Sequence, residues 1–376
     1  MSVVHFFYAN EADDAVVYFV SSELSLLPAE NIQNETLAKE WRTDSVFTVG
    51  YHNAQLAIYE SGTYKEVSLA SGTYTGSGLA TYIEGRMNSV LSFGYTASYD
   101  DSTYKFTFSQ TSTNLGFAIV GRSASYPRTV APLIGFIPPV GSEWTGTASV
   151  ASVATAKGNQ HQLILDMSAS VSITGIIIAG HNLSQSSTVI VRGDDSPALL
   201  KSSPWLTASA AFYNEMVWGS STVMVEIDQT SVRSVAFDIY DPQTAYLSIG
   251  RIFVGQYFEP ENQLSNTISW MSKGIKSRSN GFVSHAGVTY FDKRNSLEGY
   301  VWRPPPLDEY YNNTTKTGFD TMADEVGNDT PLFVSFDSTD RVGTTVYVYF
   351  NSEFRWTRQG LSPTLYLNEL SMMEQR

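Results

Sequence analysis

The chain has 376 residues, 42% of them hydrophobic and 16% charged, and a net charge of −14. That length points to two or three domains, and the acidity argues against nucleic acid as a partner for the whole molecule. The absence of cysteine excludes disulfides, thiolate zinc sites and cysteine nucleophiles. Tyr and Phe, at 22 and 20 copies, suit a pleated, half-buried surface better than a helix, so the composition reads as mainly β.

Charge is distributed unevenly. Residues 1–45 hold eight acids against Lys39 and Arg42, a net of −6. Residues 261–303 carry Lys273, Lys276, Arg278, Lys293, Arg294 and Arg303 against three acids, a net of +3. Such opposite regions either steer copies of the chain together or are ordinary solvated surface. Lys273, Lys276, Arg278, Arg294 and Arg303 are therefore candidate interface residues. Met1–Tyr8 lacks the basic segment of a secretory leader. The most apolar stretch, Ile173–Ala179, is far short of the roughly 20 residues of a membrane helix. The expectation is a protein made in the cytoplasm without membrane insertion.

In chain order, Val16–Val20 reads as a buried strand, followed by a polar connection that ends at Trp41-Arg42-Thr43. From about 46 to 140 the pattern predicts a compact β-β-α-β-β module. Ser61-Gly62-Thr63-Tyr64 recurs as Ser71-Gly72-Thr73-Tyr74, as in neighbouring hairpin strands. A helix is predicted over Gly78–Val90, with Leu79, Ile83, Met87 and Val90 on one face and Ser77 as N-cap. Residues 141–158, rich in Ser, Thr, Ala and Gly, read as a linker. Strands are then predicted at Gln162–Asp166, Ile173–Ala179, Thr188–Arg192, Val223–Ile227, Ser234–Ile239 and Leu247–Val254, a spacing that fits a sandwich or jelly roll. Residues 259–376 read as a smaller β-rich module with a short helix near Phe319–Val326.

A resemblance rests on Leu163-Ile164-Leu165-Asp166-Met167, Ile176-Ile177-Ile178-Ala179-Gly180-His181-Asn182-Leu183 and Val189-Ile190-Val191-Arg192-Gly193-Asp194. These segments resemble galactose-binding-like jelly rolls of bacteriophage tail-tip and baseplate proteins. Leu27–Thr43 resembles the segment that precedes those strands, and Ile249–Gly255 resembles the closing strand. In the resembled pattern the opening runs almost directly into the jelly roll, whereas about a hundred residues intervene here. The resemblance therefore implies a jelly-roll β-sandwich made from 1–45 and 141–258, interrupted by an inserted α+β domain at 46–140 and followed by an assembly module at 259–376.

Candidate chemistry is sparse. The five histidines form no close pair. His181 and Asn182 stand at a strand-ending turn, where they either contact a ligand or pin the turn to nearby backbone. Trp205, Phe212, Tyr213 and Trp218 cluster in sequence as a platform for sugar or protein, or as a cover for the sandwich end. Trp205, Tyr213, Trp218, His181 and Asn182 are thus the candidate ligand residues. Asp100-Asp101, Asp194-Asp195 and Asp308-Glu309 fall in predicted turns, and no carboxylate pair is marked out for glycoside hydrolysis. Arg192-Gly193-Asp194 reads as a turn with glycine at positive φ.

No catalytic residue, metal or cofactor is expected. The expected function is that of a non-enzymatic virion structural protein, joining copies of itself in a ring and bridging other tail or baseplate proteins. The alternative is a carbohydrate-binding module that recognises a host surface glycan.

Overall fold

The computed structural model describes residues 4–43, 46–111, 117–121, 125–131, 133–136, 153–157, 160–202, 212–218, 222–241, 246–260, 270–276, 280–283, 289–292, 297–303, 307–308, 313–328, 330–337, 340–358, 364–367 and 369–375. Antiparallel strands dominate them, and the longest helices are Gly76–Val90 and Asn313–Val326. The chain is mainly β, as its composition implies.

The centre of the molecule is one long antiparallel strand pair. Strands Gln160–His181 and Thr222–Tyr240 pair along most of their length, with register breaks between Asp166 and Val171 and between Ile173 and Gly175. The sequence reading expected four short strands here. Bulges bend a strand without ending it, so each long strand serves both layers. Leu163–Asp166 pairs with Val16–Val20, while Ser234–Tyr240 pairs with Thr188–Asp194. Beyond the bend, Gly175–His181 pairs with Ser248–Phe258.

The two half-sheets close on a shared core. Leu163, Leu165, Val191, Val235 and Phe237 from one half meet Ile176, Ile178, Val223, Ile252 and Val254 from the other. The two-residue period decides which side chains enter. Ile164 turns outward beneath Leu200, and Ile177 turns outward onto Phe7 and Phe253. This is a β-sandwich of the jelly-roll class expected from the strand spacing. Each Ile or Leu enclosed in its core stabilises the fold by about 1.5–3 kcal/mol. Trp41 completes the core, its Nε1 donating to the Ser22 carbonyl at 3.2 Å.

A separate core lies under residues 47–136. Leu79, Ile83 and Met87 of the helix Gly76–Val90 pack on Phe47, Leu56, Ile58, Val67, Tyr95, Phe106, Phe108 and Phe117. Two details differ from the sequence reading. The N-cap is Thr75, whose hydroxyl accepts from the Gly78 N–H, so Ser77 already lies in the first turn. Val90 is exposed, because the helix ends there and Leu91 takes the last core position. Below the helix, the enclosed Glu60 carboxylate accepts from Tyr95 Oη and Lys65 Nζ, both at 2.7 Å, and from the backbone of Ser92 and Phe93. Burial alone would raise its pKa, but these donors outweigh it and hold the carboxyl below the usual range.

Val153–Lys157, in the stretch read as linker, is a strand paired with Lys105–Ser109.

The opening strand His5–Asn10 lies between Ser248–Phe258 and Leu332–Ser335, so one sheet runs from the sandwich into the C-terminal module. Phe7 packs with Phe253 beside the sandwich, and Phe6 faces Trp302 and Phe319 in the C-terminal core. The first strand thus belongs to both modules, not to the jelly roll alone.

Candidate functional site

Three of the five expected ligand residues, His181, Asn182 and Trp218, lie close together at one mouth of the sandwich. Gly180, at φ +63°, is the penultimate residue of the long strand; Leu37 and the Gly250 backbone approach within 3.3 and 3.4 Å of where a Cβ would stand. Only glycine meets that conformation without strain. The turn sets the His181 ring edge-on to Trp218, with centroids 5.4 Å apart. Neither His181 nitrogen has a hydrogen-bond partner among the described residues. Burial pushes its imidazole down to about 4, with the Asp241 carboxylate acting the other way.

The neighbouring polar groups already have structural tasks. Asn182 Oδ1 accepts from the Ser248 N–H at 2.8 Å and its Nδ2 donates to the Tyr246 carbonyl at 2.9 Å, clasping two strand ends. Ser184 donates to Asp241 through both N–H and Oγ, each at 2.7 Å. The Arg42 guanidinium lies 3.6 Å above the Tyr246 ring. Trp218 Nε1 donates to the Ser187 carbonyl at 3.4 Å. His181 and Trp218 come together, while Asn182 serves as a strut.

The aromatic platform is not continuous along the backbone. Tyr213 pairs with Arg192, at the far end of Thr188–Asp194 from the Ser187 that Trp218 touches. Trp205 lies outside the described residues. Among the candidate interface residues, Lys273 and Lys276 lie on strand Trp270–Lys276 and Arg303 ends strand Leu297–Arg303. Arg278 and Arg294 lie outside the described residues.

Arg192-Gly193-Asp194 is strand, not turn. Arg192 is wholly buried, its Nε donating to Asp238 at 2.7 Å while Gln162 Nε2 donates to the other carboxylate oxygen at 2.7 Å. Gly193 does not have positive φ; its missing side chain makes room for Phe212, whose ring would lie 2.1 Å from an added Cβ. Asp194 Oδ1 accepts from the Ser196 N–H, so it pins the turn that follows. Asp100 similarly accepts from Ser102 and Thr103, which hold its carboxyl down to about 2.

Two features escaped the sequence reading. His5, enclosed between Glu226 and Glu259 at 3.3 and 3.0 Å, stacks on Tyr257 at 4.0 Å. A polar cleft of about 450 Å³ lies beside it, lined by Thr174, Ile227, Asp228, Gln229, Gln256 and Tyr257. Nothing in the spacing of His5, Glu226 and Glu259 could have signalled that they meet.

The second feature is Val16–Val20. Read as buried, it is an end strand, because only Gln160–His181 pairs with it among the described residues. Val16 is 57% exposed and Tyr18 42%. Phe19 lies beneath Lys201 of helix Pro197–Ser202, whose Leu199 is exposed, and that helix packs beside the exposed Tyr51.

No family model matches the chain, and no curated protein matches it. Among solved structures it is similar to a truncated AlyQ with CBM32 and alginate lyase domains, at 10% identity over 57% of this chain and 81% of that one, with a TM-score of 0.20. It is also similar to an f-lectin (fucolectin) from striped bass (Morone saxatilis) serum, at 13% identity over 67% of this chain and 98% of that one, again with a TM-score of 0.20. At that level of superposition neither likeness assigns a ligand or an activity to this chain.

Proposed function

We propose that this chain is a non-catalytic subunit of a larger assembly, and that the assembly is the tail tip or baseplate of a bacteriophage virion. The observation that carries the assembly reading is the uncharged end strand Val16–Val20, with Val16 and Tyr18 exposed and the exposed Leu199 and Tyr51 on elements close by. An open strand of apolar residues is a hazard that proteins mask with charge or proline unless a partner covers it. The sequence resemblance to phage tail-tip jelly rolls supplies the particle. Its partners would be copies of itself in a ring and other tail proteins. Light scattering on the purified chain, followed by electron microscopy, tests this. A symmetric multimer is expected, and a monomer at every accessible concentration would contradict it.

A second reading has its own observation. The half-buried Trp218 lies edge-on to His181, whose ring nitrogens are closed off from solvent. A hydroxyl-rich ligand such as a host surface glycan could pack on the indole. Glycan-array binding that disappears in Trp218→Ala supports this reading, and a blank array removes it.

A further inference from the structure

We infer that successive copies of this chain join edge to edge, with strand Val16–Val20 of one copy lying alongside strand Trp270–Lys276 of the next. The inference rests on the assembly reading and names the surfaces and the partner.

Val16–Val20 and Trp270–Lys276 are two of the open edges of the main sheet, and unlike the end strand Phe212–Glu215 neither contains an acid. Among the described residues, Val16–Val20 pairs only with Gln160–His181, and Trp270–Lys276 pairs only with Leu297–Arg303. Each therefore presents a row of backbone donors and acceptors on its outer side, which another strand satisfies by continuing the sheet. The register with Gln160–His181 steps past Tyr18, leaving that side chain outward and half-exposed. The two edges have five and seven residues, compatible lengths at about 3.4 Å per residue.

Charge selects between self-pairing and pairing of unlike edges. Val16–Val20 has no charged residue, but Asp13 and Asp14 precede it and Glu23 follows it. Two copies of this strand laid antiparallel about Tyr18 would bring Asp14 of each near Glu23 of the other, Asp13 being already paired with Arg251 at 2.7 Å, and like charges brought together at an interface disfavour it. Trp270–Lys276 instead carries Lys273 and Lys276 and no acid. In a protein of net charge −14, the meeting of an acid-flanked edge with a basic one is the encounter that attraction favours. Because the two edges differ, the contact is head-to-tail, and repeating it closes a ring or extends a filament.

The chain has no cysteine, so introduced thiols report proximity without background. Val16→Cys or Tyr18→Cys protein is mixed with Ser272→Cys, Lys273→Cys or Gly274→Cys protein and oxidised. At least one mixed pair is expected to give a disulfide-linked dimer containing one of each, while Tyr18→Cys alone gives none. As a second readout, Lys273→Glu with Lys276→Glu is expected to weaken self-association about tenfold or more, and Asp14→Lys is expected to recover part of it. A multimer that forms no mixed link, or one in which Tyr18→Cys links to itself, overturns the edge assignment and leaves the assembly reading standing. A wild-type chain that never multimerises overturns both.

Discussion

The sandwich mouth and the open edge contrast in how much of their bonding capacity the fold itself uses. At the mouth, Asn182, Ser184, Asp241 and Trp218 Nε1 are occupied by neighbouring groups, while both His181 nitrogens, Arg42 Nε and Ser187 Oγ have no hydrogen-bond partner among the described residues. At Val16–Val20 one side of the backbone meets no strand among the described residues, and apolar side chains face out. Bonds within the fold account for most of the polar groups at the mouth, whereas the apolar edge is what the proposed assembly would cover. On that proposal, residues that look like chemistry do structural work and residues that look like core do intermolecular work.

The strongest way to test the first half is to break the buried Arg192–Asp238 pair of the sandwich. Arg192→Ala would leave Asp238 charged in the interior and is expected to cost about 3–5 kcal/mol. Urea unfolding measures it; a loss below about 1 kcal/mol would mean that Arg192 is not structural. Asn182→Ala removes both clasping bonds from a strand end and is expected to cost about 1–3 kcal/mol in the same assay.

Acid provides a third handle. Burial pushes His181 down to about 4 and His161 down to about 3, so between pH 6.5 and 4 the unfolded chain takes up protons that the fold refuses. Stability from these two groups is therefore complete above pH 6.5 and falls as the pH drops toward 4. His181→Gln is expected to flatten that fall, as read from unfolding free energies at pH 7, 6, 5 and 4.5. An unchanged slope would show that His181 is not shielded from water. The smallest stability effect belongs to the edge, where Tyr18→Lys is expected to stay within about 0.5 kcal/mol of wild type while disrupting assembly.

Particular residues show how far the sequence reaches. The apolar runs Leu163-Ile164-Leu165 and Ile176-Ile177-Ile178 were legible as strands, and the period of two then decides which of their side chains enter the sandwich core. The helix face Leu79, Ile83 and Met87 was equally legible. The continuity of Gln160–His181 was not, because a bulge looks like a strand end when the partner strand is unknown. Val16–Val20 has the composition of a buried strand; whether it has one neighbour or two depends on where distant segments lie. Arg192 has the letters of an exposed turn, and only Asp238, 46 residues further on, makes it core. The site was legible to the extent that His181 and Trp218 were named; their contact and the roles of their neighbours depend on long-range packing.

Sedimentation of Tyr18→Lys and Trp218→Ala proteins alongside wild type tests the account most directly. The account predicts that wild type and Trp218→Ala sediment as the same multimer while Tyr18→Lys falls apart into folded monomers. A Tyr18→Lys protein that remains fully assembled, or a wild type that is already monomeric, would contradict it.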